Sequence, residues 1–147
     1  MKGQFVGFKL GKEEFGIDVM DVQEIIDYQE ITHIPEMPEF IEGVIDLRGK
    51  ILPVLDLRKR FNIEAPISEL TKILILKYNG EQMGAIVDEV TEVVTPDVIE
   101  RPPESIAKLG KEYIVGIARK GKRILIIIDA KKILSDIEKK ELKEVNL

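Results

Sequence analysis

An internal repeat is the feature that most limits what this chain of 147 residues can fold into. Residues 5–26 align with residues 73–94 at a shift of 68, and residues 43–61 align with residues 116–134 at a shift of 73. The larger second shift indicates a five-residue insertion in the second copy, near 106–115. The match rests on an ordered series of apolar positions, glycines and a final aspartate, and it predicts two copies of one small β unit. Two copies are too few for a solenoid.

Each copy contains the same elements in the same order. It begins with a hairpin, whose turn contains Gly11 in the first copy and Asn79-Gly80, a strong hairpin signal, in the second. The next segment fits a helix or a strand in the first copy, while β-branched residues favour a strand in the second. After a proline-containing loop comes a second hairpin, which ends at Asp56 or Asp129. Each aspartate is a favourable N-cap for a following helix, and the second of these helices is predicted over 130–144.

Short strands with regularly spaced turns, occurring twice, predict a mainly β fold. We expect two small barrels that pack together as one domain over residues 1–147, with a first subdomain at about 1–68 and a second at about 69–147. Whether terminal strands cross between the two subdomains stays open at this stage. The segments ILPVLD (51–56) and ILIIID (124–129) are apolar on both faces, so we expect them to be buried where the two units meet.

The composition is that of a globular, soluble protein, with 44% apolar and 33% charged residues. The formal net charge is −5, and no basic stripe follows the chain, which argues against nucleic acid as a partner. The longest apolar run, ILIII (124–128), is too short to span a bilayer, so no membrane insertion is expected. The absence of cysteine excludes disulfides and thiolate metal sites, and it fits a cytoplasmic protein.

The sequence predicts no catalytic, metal or cofactor site. His33 is the only histidine and its counterpart in the second copy is Arg101, so we interpret it as a loop residue. The carboxylates between Asp18 and Asp27 are interpreted as the solvated side of a half-buried segment. The phosphate-binding patterns GxxxxGK[ST] and GxGxxG are absent. These observations favour a binding module, with a small ligand-binding or enzymatic β-barrel as the alternative.

A long, ordered pattern runs through GVIDLRGKILPVLDLRKRF (43–61), namely GxxxLRG followed by P[IV]xDLR. Together with EEFGIDVMDVQEII (13–26), it resembles the CheW family of chemotaxis coupling proteins over nearly the whole chain. The family commonly has asparagine where this chain has Asp46. The resemblance implies two five-stranded barrels around a shared hydrophobic core, with no enzymatic activity and no cofactor.

The same resemblance implies two partners. One is the histidine kinase CheA, whose regulatory domain is itself similar to CheW. The other is the cytoplasmic tip of the chemoreceptors, to which a CheW-like protein is recruited at the inner face of the membrane. We therefore expect this chain to act as an adaptor between the kinase and the receptors.

Within the pattern, Arg48 is the residue that we single out for receptor binding. It aligns with Gly121 and so has no charged equivalent in the second copy, whereas a structural need shared by both halves would have kept the arginine in both. Two roles are open: a local pair with Glu24 or Asp46, or a guanidinium that Glu24 helps to present to acidic and amide groups of a receptor. Both can hold at once. The resemblance implies a role in receptor coupling for the position of Arg48.

Around Arg48 and Glu24 we expect an apolar groove between the two units that accepts a helical hairpin. Its expected walls come from equivalent positions of the two copies: Val22 and Ile25 from the first, and Val90 and Val93 from the second. For each of these residues, a place in the ordinary core is the alternative.

The kinase is expected to bind elsewhere, because one module has to hold both partners at once. The candidates lie at the expected exposed edge of the first barrel and in the proline loop before it: Met37, Phe40, Ile41, Gly43 and Val44. A rigid loop with Phe40 buried is the alternative. Two related identities also stay open. One is a severed regulatory domain of a kinase, and the other is a CheV-like adaptor, whose extra receiver domain would not fit in this chain.

Overall fold

The structure is a computed structural model that describes residues 3–37, 41–64, 66–78, 80–107 and 112–133. Eleven strands are described: β1 (Phe5–Leu10), β2 (Glu13–Asp18), β3 (Val22–Asp27), β4 (Ile41–Leu47), β5 (Lys50–Asp56), β6 (Lys72–Tyr78), β7 (Glu81–Val87), β8 (Glu89–Val94), β9 (Val98–Glu100), β10 (Ile114–Lys120) and β11 (Arg123–Ile128). The mainly β fold predicted from the sequence is thus confirmed. The segment that fitted either a helix or a strand is a strand in both copies, β3 and β8, with a single 3-10 turn before β3.

Helices are few and short in the described part of the chain: α1 (Leu57–Arg60), α2 (Glu104–Ala107) and a helical segment at 130–133. Both aspartates predicted as N-caps are confirmed. The Asp56 side chain accepts a hydrogen bond from the Arg58 backbone N–H (2.9 Å), and the Asp129 side chain accepts one from the Lys131 backbone N–H (2.9 Å). The remainder of the predicted C-terminal helix lies outside the described residues.

The strands form two sheets with the same order of equivalent members. Sheet A has the order β8-β1-β2-β11-β10-β9, and sheet B has the order β3-β6-β7-β5-β4. The sixth strand of sheet A, β9, corresponds in sheet B to an isolated bridge between Thr32 and Val44. The expectation of five strands in each barrel therefore holds for sheet B, while sheet A gains one strand because three consecutive residues pair with β10 there.

Each sheet takes strands from both copies of the repeat. The first hairpin of the first copy, β1–β2, lies in sheet A with β8–β11, and the first hairpin of the second copy, β6–β7, lies in sheet B with β3–β5. The sequence halves 1–68 and 69–147 therefore do not coincide with the two sheets. Strands thus cross between the two halves, a possibility that the sequence left open: the first hairpin of each copy lies in the sheet that contains the other strands of the other copy.

The register of the exchanged hairpins follows the alignment of the two copies residue by residue. In sheet B, β5 runs parallel to β7 and pairs Val54 with Gly84, and in sheet A, β11 runs parallel to β2 and pairs Ile127 with Gly16. These pairs are equivalent under the shifts of 73 and 68. The pairs at the sheet edges are equivalent in the same way. The Val22–Leu76 pair of sheet B corresponds to the Val90–Phe8 pair of sheet A, and the Ile26–Ile73 pair corresponds to the Val94–Phe5 pair. The duplication inferred from sequence is thus present in the hydrogen-bonded ladders.

Both sheets must curl, because their two edges are joined by short segments. In sheet B, only five residues lead from Asp27 at the end of β3 to Thr32, which bridges the far side of β4. Five residues reach about 18 Å at most, whereas five strand spacings in a flat sheet measure about 24 Å. In sheet A, only four residues lead from Val94 at the end of β8 to Val98 at the start of β9, so the two edges of this sheet must lie even closer together. The sheets therefore form the two small barrels that the sequence predicted.

The strands are apolar on both faces because each barrel packs on two sides. Along β6, Ile73 and Ile75 point into the barrel, while Leu74 and Leu76 point towards the other sheet. The interior of sheet B contains Ile31, Ile45, Leu47, Leu52, Val54, Ile73, Ile75 and Ile86, and that of sheet A contains Phe5, Val94, Ala118, Leu125 and Ile127. A third cluster, the shared core, lies between the sheets and includes Phe8, Phe15 and Ile17 from sheet A and Leu55, Leu74 and Val87 from sheet B.

Two equivalent glycines mark the place where each exchanged hairpin enters a barrel. A Cβ atom on Gly84 would lie 2.9 Å from Ile73 Cγ2 and 3.2 Å from Val54 Cγ2, and a Cβ atom on Gly16 would lie 2.9 Å from Ile127 Cδ1. The surrounding atoms belong to β-branched side chains, which have little freedom to move aside. Close packing therefore favours glycine at both positions, most strongly at Gly84, where the nearest atom is a branch methyl that a change of χ2 cannot move aside.

We predict that Gly84→Ala destabilises the protein by overpacking the interior of sheet B. The expected loss in the free energy of unfolding is about 1–3 kcal/mol, measured by urea denaturation. Gly3→Ala is the matched control, because its Cβ would lie at an ordinary 3.6 Å from the Phe5 ring, and we expect a change within about 0.5 kcal/mol. Equal stabilities of the two variants would contradict the packing described for the barrel.

Candidate functional site

Arg48 lies in the two-residue turn between β4 and β5. Leu47 pairs with Lys50, and Arg48 and Gly49 between them have positive φ angles of 52° and 89°. This is the backbone of a type I′ hairpin turn, which favours glycine or asparagine and disfavours most other side chains. Asp46 supports the turn by accepting a hydrogen bond from the Gly49 backbone N–H (2.7 Å). The arginine thus occupies a backbone conformation that it does not favour.

The Arg48 guanidinium forms a two-pronged pair with the Glu24 carboxylate. Nη1 donates to Oε1 at 3.0 Å and Nη2 donates to Oε2 at 2.5 Å. This pair lowers the pKa of Glu24 and raises that of Arg48, chiefly through the hydrogen bonds between them. Glu24 is on β3 and Arg48 follows β4, the two edge strands of sheet B, so the pair spans the closure of the barrel.

The second copy also contains a glutamate–arginine pair, which corrects an expectation from the sequence. Glu92, the equivalent of Glu24, contacts Arg123, which lies two residues after Gly121. Arg123 also donates from Nε and Nη2 to Glu14, at 3.1 and 2.6 Å. Arg48 still aligns with Gly121, but the inference that the second copy lacks an equivalent charge is wrong, because Arg123, displaced along the hairpin, reaches the equivalent glutamate, Glu92.

Arg48 and Arg123 differ in exposure and in the number of carboxylates with which they pair. The Arg48 side chain is 67% exposed and pairs with Glu24, whereas the Arg123 side chain is 36% exposed and is held between two glutamates. Burial tends to raise the pKa of Glu14, but hydrogen bonds from Arg123 and Thr91 outweigh it and hold this pKa below its usual range. Arg48 is thus the arginine that is presented to solvent, and Arg123 is part of the wall of sheet A.

The four apolar residues expected to form a groove separate into two kinds. Val22 and Val90 are half-buried and pack against the shared core. Ile25 and Val93 are 43% and 54% exposed. The alternative of a place in the core is therefore partly correct for Val22 and Val90. Ile25 and Val93 instead provide apolar surface that a partner could cover.

Two further exposed apolar residues were missed by the sequence reasoning. Ile51 and Ile124 occupy equivalent positions of β5 and β11, just after the hairpin turns, and both are more than half exposed. The signal for them was present, because both isoleucines align at the shift of 73 and directly follow a charged turn. The sequence pattern alone indicates core positions for both, because the runs that they begin are apolar on both faces.

The residues proposed from sequence for kinase binding do not form an exposed edge. Ile41 and Gly43 are buried, and Val44 exchanges two backbone hydrogen bonds with Thr32, each of 2.9 Å, which cover the edge of β4. A Cβ on Gly43 would lie 2.0 Å from the Thr32 carbonyl oxygen, so glycine is required for this close approach. The expectation of an exposed edge is therefore wrong for Ile41 and Gly43.

The remaining members of that set have mixed placements. Val44 is half-buried, and Met37 is half-buried and packs against the shared core. Phe40 lies outside the described residues. His33 is exposed, as expected for a loop residue. Among the residues that the structure describes, no group of three or more histidine or carboxylate side chains is arranged to hold a metal ion, and no helix has the length and apolarity needed to cross a membrane.

Comparison with protein families gives one match over most of the chain, to the CheW-like domain at residues 4–138. The chain belongs to the CheW-like domain family. The chemotaxis protein CheW of Klebsiella aerogenes is 40% identical over 138 residues, covering 92% of this chain and 83% of that protein. The chemotaxis protein CheW of Treponema pallidum is 36% identical over 146 residues, covering 95% and 86%.

A solved structure supports the same assignment. The crystal structure of the scaffolding protein TtCheW from Thermoanaerobacter tengcongensis has a TM-score of 0.78 to this chain at 41% identity. The match covers 89% of this chain and 91% of that one. The CheW-like fold therefore extends over both barrels and not over one half alone.

The DLR part of the CheW-like pattern is a buried ion network. Arg58 Nη2 donates to Asp56 Oδ2 at 2.9 Å, and Arg58 Nη1 donates to Asp88 Oδ1 at 3.2 Å. Asp56 and Arg58 are buried, and Asp88 also accepts a hydrogen bond from the Gly11 backbone N–H (2.6 Å). The network ties the N-terminus of α1 to the loops at the ends of two exchanged hairpins, so this part of the pattern is structural. Sequence reasoning missed Asp88 because nothing local marks it.

We predict that Arg58→Met lowers the free energy of unfolding by about 3–5 kcal/mol, because it leaves the buried Asp56 without its cation. An exposed lysine in the equivalent helical segment of the second copy provides the control. Lys132 is exposed, so Lys132→Met should change stability by less than about 0.5 kcal/mol. Chemical denaturation of both variants measures the difference, and similar losses for the two would show that Arg58 does not serve the buried carboxylates.

Proposed function

We propose that this chain is a non-catalytic scaffold that couples the histidine kinase CheA to the cytoplasmic tips of chemoreceptors. Membership of the CheW-like family over residues 4–138 carries the proposal, together with likeness to proteins named as chemotaxis and scaffolding proteins over most of their length. The described barrel interiors are packed with apolar side chains, which disfavours the alternative of a ligand-binding or catalytic site inside a barrel, because such a site needs convergent polar groups. In this role the protein is cytoplasmic and is recruited to receptor clusters.

The receptor surface that we propose is centred on Arg48. A guanidinium has five N–H donors, of which Glu24 accepts two, so three remain for a partner. Receptor tips are helical and rich in carboxylate and amide oxygens, which match the planar fork of an arginine. Glu24 fixes the orientation of the fork and thereby reduces the entropy lost on binding.

Apolar contacts complete the proposed receptor surface. Ile25 lies one residue after Glu24 on β3, and Val93 is its equivalent on β8, so each copy contributes one exposed apolar residue. Val22 and Val90 lie behind them, half-buried against the shared core, where they support these strands. An amphipathic receptor helix would cover Ile25 and Val93 with its apolar side.

The kinase surface that we propose lies around Met37 and Val44, with Phe40 in the segment between them. Met37 offers an adaptable thioether side chain, and Val44 is held in place by its two hydrogen bonds to Thr32. Ile41 and Gly43 support this surface from within, because Ile41 packs in the shared core and Gly43 allows the close approach of Thr32.

We predict that Arg48→Glu weakens binding of a receptor signalling fragment at least about tenfold, while binding of the CheA regulatory domain and the melting temperature stay close to those of the parent. Binding to each fragment is measured separately by calorimetry. Arg119→Glu, on the equivalent hairpin of sheet A, is the control for charge reversal at an exposed arginine. Loss of both partners together, with a lowered melting temperature, would mark Arg48 as structural.

A charge exchange separates direct recognition from local pairing. Arg48→Glu combined with Glu24→Arg restores an opposite-charge pair between β3 and the turn. Direct recognition predicts that receptor binding stays weak in this double variant, because the guanidinium then projects from β3. Full recovery of receptor binding would mean that Arg48 acts only by pairing with Glu24.

We predict that Ile25→Asp and Val93→Asp each weaken receptor binding about tenfold and leave kinase binding unchanged, because a carboxylate cannot be buried against an apolar helix without cost. Both side chains are substantially exposed, so circular dichroism should show an intact fold. Ile67→Asp, at an exposed apolar position in the segment between α1 and β6, is the control. A loss of receptor affinity no larger than that of the control would remove Ile25 and Val93 from the surface.

A further inference from the structure

The backbone of Arg48 adopts a conformation that most side chains do not favour. Its φ angle is 52°, in the left-handed region, and it occupies the first of the two turn positions between β4 and β5. A residue other than glycine or asparagine is strained in this region, and it stays there where the surrounding structure holds it in place. The side chains that contact this turn therefore determine whether Arg48 keeps its conformation.

Two side chains hold the turn. The Asp46 carboxylate accepts a hydrogen bond from the Gly49 backbone N–H (2.7 Å), which lies in the turn and outside the ladder between β4 and β5. Asp46 is itself held by Gln29, whose amide Nε2 donates to the Asp46 carbonyl oxygen at 3.2 Å. Because Asp46 precedes Arg48 and Gly49 follows it, the bond between them closes the turn around the arginine.

The second copy holds its equivalent hairpin from the same position of the repeat. Asp97 is the equivalent of Gln29 at the shift of 68. Its backbone N–H donates to the carbonyl oxygen of Arg119 (2.7 Å), which is the equivalent of Asp46 at the shift of 73. The Asp97 side chain also accepts a hydrogen bond from the Gly121 backbone N–H (2.8 Å). Both copies therefore hold the carbonyl group at the same place before the turn.

The carboxylate of Asp46 is the support that differs between the two copies. Its equivalent, Arg119, has no carboxylate, and the left-handed position of that turn is taken by Gly121, with a φ angle of 61°. A glycine adopts this conformation without strain and presents no side chain. The first copy combines a long side chain in a strained position with an added carboxylate, so the added support accompanies the residue that the turn presents.

We propose that Asp46 is a positioning residue for receptor binding, which holds the turn in the conformation that directs Arg48 towards the receptor. This role rests on the receptor surface proposed above and requires no contact between Asp46 and the receptor. Loss of the Asp46 hydrogen bond lets the turn relax. The apparent affinity for the receptor then falls in proportion to the fraction of molecules that keep the binding-competent conformation.

Two variants that remove the same charge test this role. Asp46→Ala removes the acceptor oxygen, whereas Asp46→Asn keeps an amide oxygen that can accept the Gly49 N–H. By calorimetry, we expect Asp46→Ala to bind a receptor signalling fragment about fivefold more weakly than Asp46→Asn, with equal binding of the CheA regulatory domain. Both variants should be folded by circular dichroism, because Asp46 is exposed. Equal receptor affinities of the two variants, or an equal loss for both partners, would overturn the proposal.

The pKa of Glu24 reports on the Arg48 guanidinium without any partner present. Pairing with Arg48 lowers this pKa in the parent protein. Because the two variants of Asp46 have the same charge, a difference between them in the pKa of Glu24 reflects the position of the guanidinium. We expect a higher pKa of Glu24 in Asp46→Ala than in Asp46→Asn, measured by NMR titration. The same pKa in both variants would contradict a turn held by Asp46.

Combination with Arg48→Ala separates a failure of this role from a failure of the receptor surface. If Asp46 acts through Arg48, then Asp46→Ala and Asp46→Asn should bind the receptor fragment equally, within about twofold, in the Arg48→Ala background. A difference that persists in this background would overturn the positioning role alone. An Arg48→Ala variant that binds the receptor fragment as tightly as the parent would overturn the receptor surface itself, and the positioning role with it.

Discussion

The parallel pairing of β2 with β11 and of β7 with β5 is the constraint on which the rest of the structure depends. In each pair one strand comes from the first hairpin of one copy and the other from the last hairpin of the other copy. A barrel cannot close without the hairpin that it receives, because the received strands occupy the middle of the sheet order. Neither copy of the repeat can therefore form its barrel alone, and the shared core is completed only when both are present.

This constraint explains why the two parts of the CheW-like sequence pattern, around Arg48 and around Asp56–Arg58, have different physical roles. Asp56 and Arg58 lie where the parallel strands end, and they form a buried network with Asp88 from the exchanged hairpin. Arg48 lies at the opposite, turn end of β5, where it is exposed and paired with Glu24. The buried residues fix how the two barrels are joined, and the exposed residues are the ones available to a partner. The position of Arg48 is thus set by a frame that both copies build.

Local features of the sequence predicted the elements well. The repeat, the hairpins and the N-caps at Asp56 and Asp129 could be derived because turn and capping chemistry depend on a few neighbouring residues. The pairing of Arg48 with Glu24 was also among the predicted possibilities. These features require no knowledge of which strand lies next to which.

Features that depend on long-range neighbours could not be derived. The hairpin exchange decides that Asp88 meets Arg58 and that Arg123 meets Glu14 and Glu92, and these partners are far apart in the sequence. Likewise, the burial of Ile41 and Gly43 follows from the return of Thr32 to the edge of β4.

Native-state hydrogen exchange tests the reciprocal exchange of hairpins most directly. Slowly exchanging amides of β2 and β11 in sheet A and of β5 and β7 in sheet B are followed at increasing concentrations of denaturant. If each barrel needs strands from both copies, the slowest amides of the two sheets share one opening free energy, equal to that of global unfolding, and one dependence on denaturant. Opening of one sheet at a clearly lower free energy, with a smaller dependence on denaturant, would contradict this account.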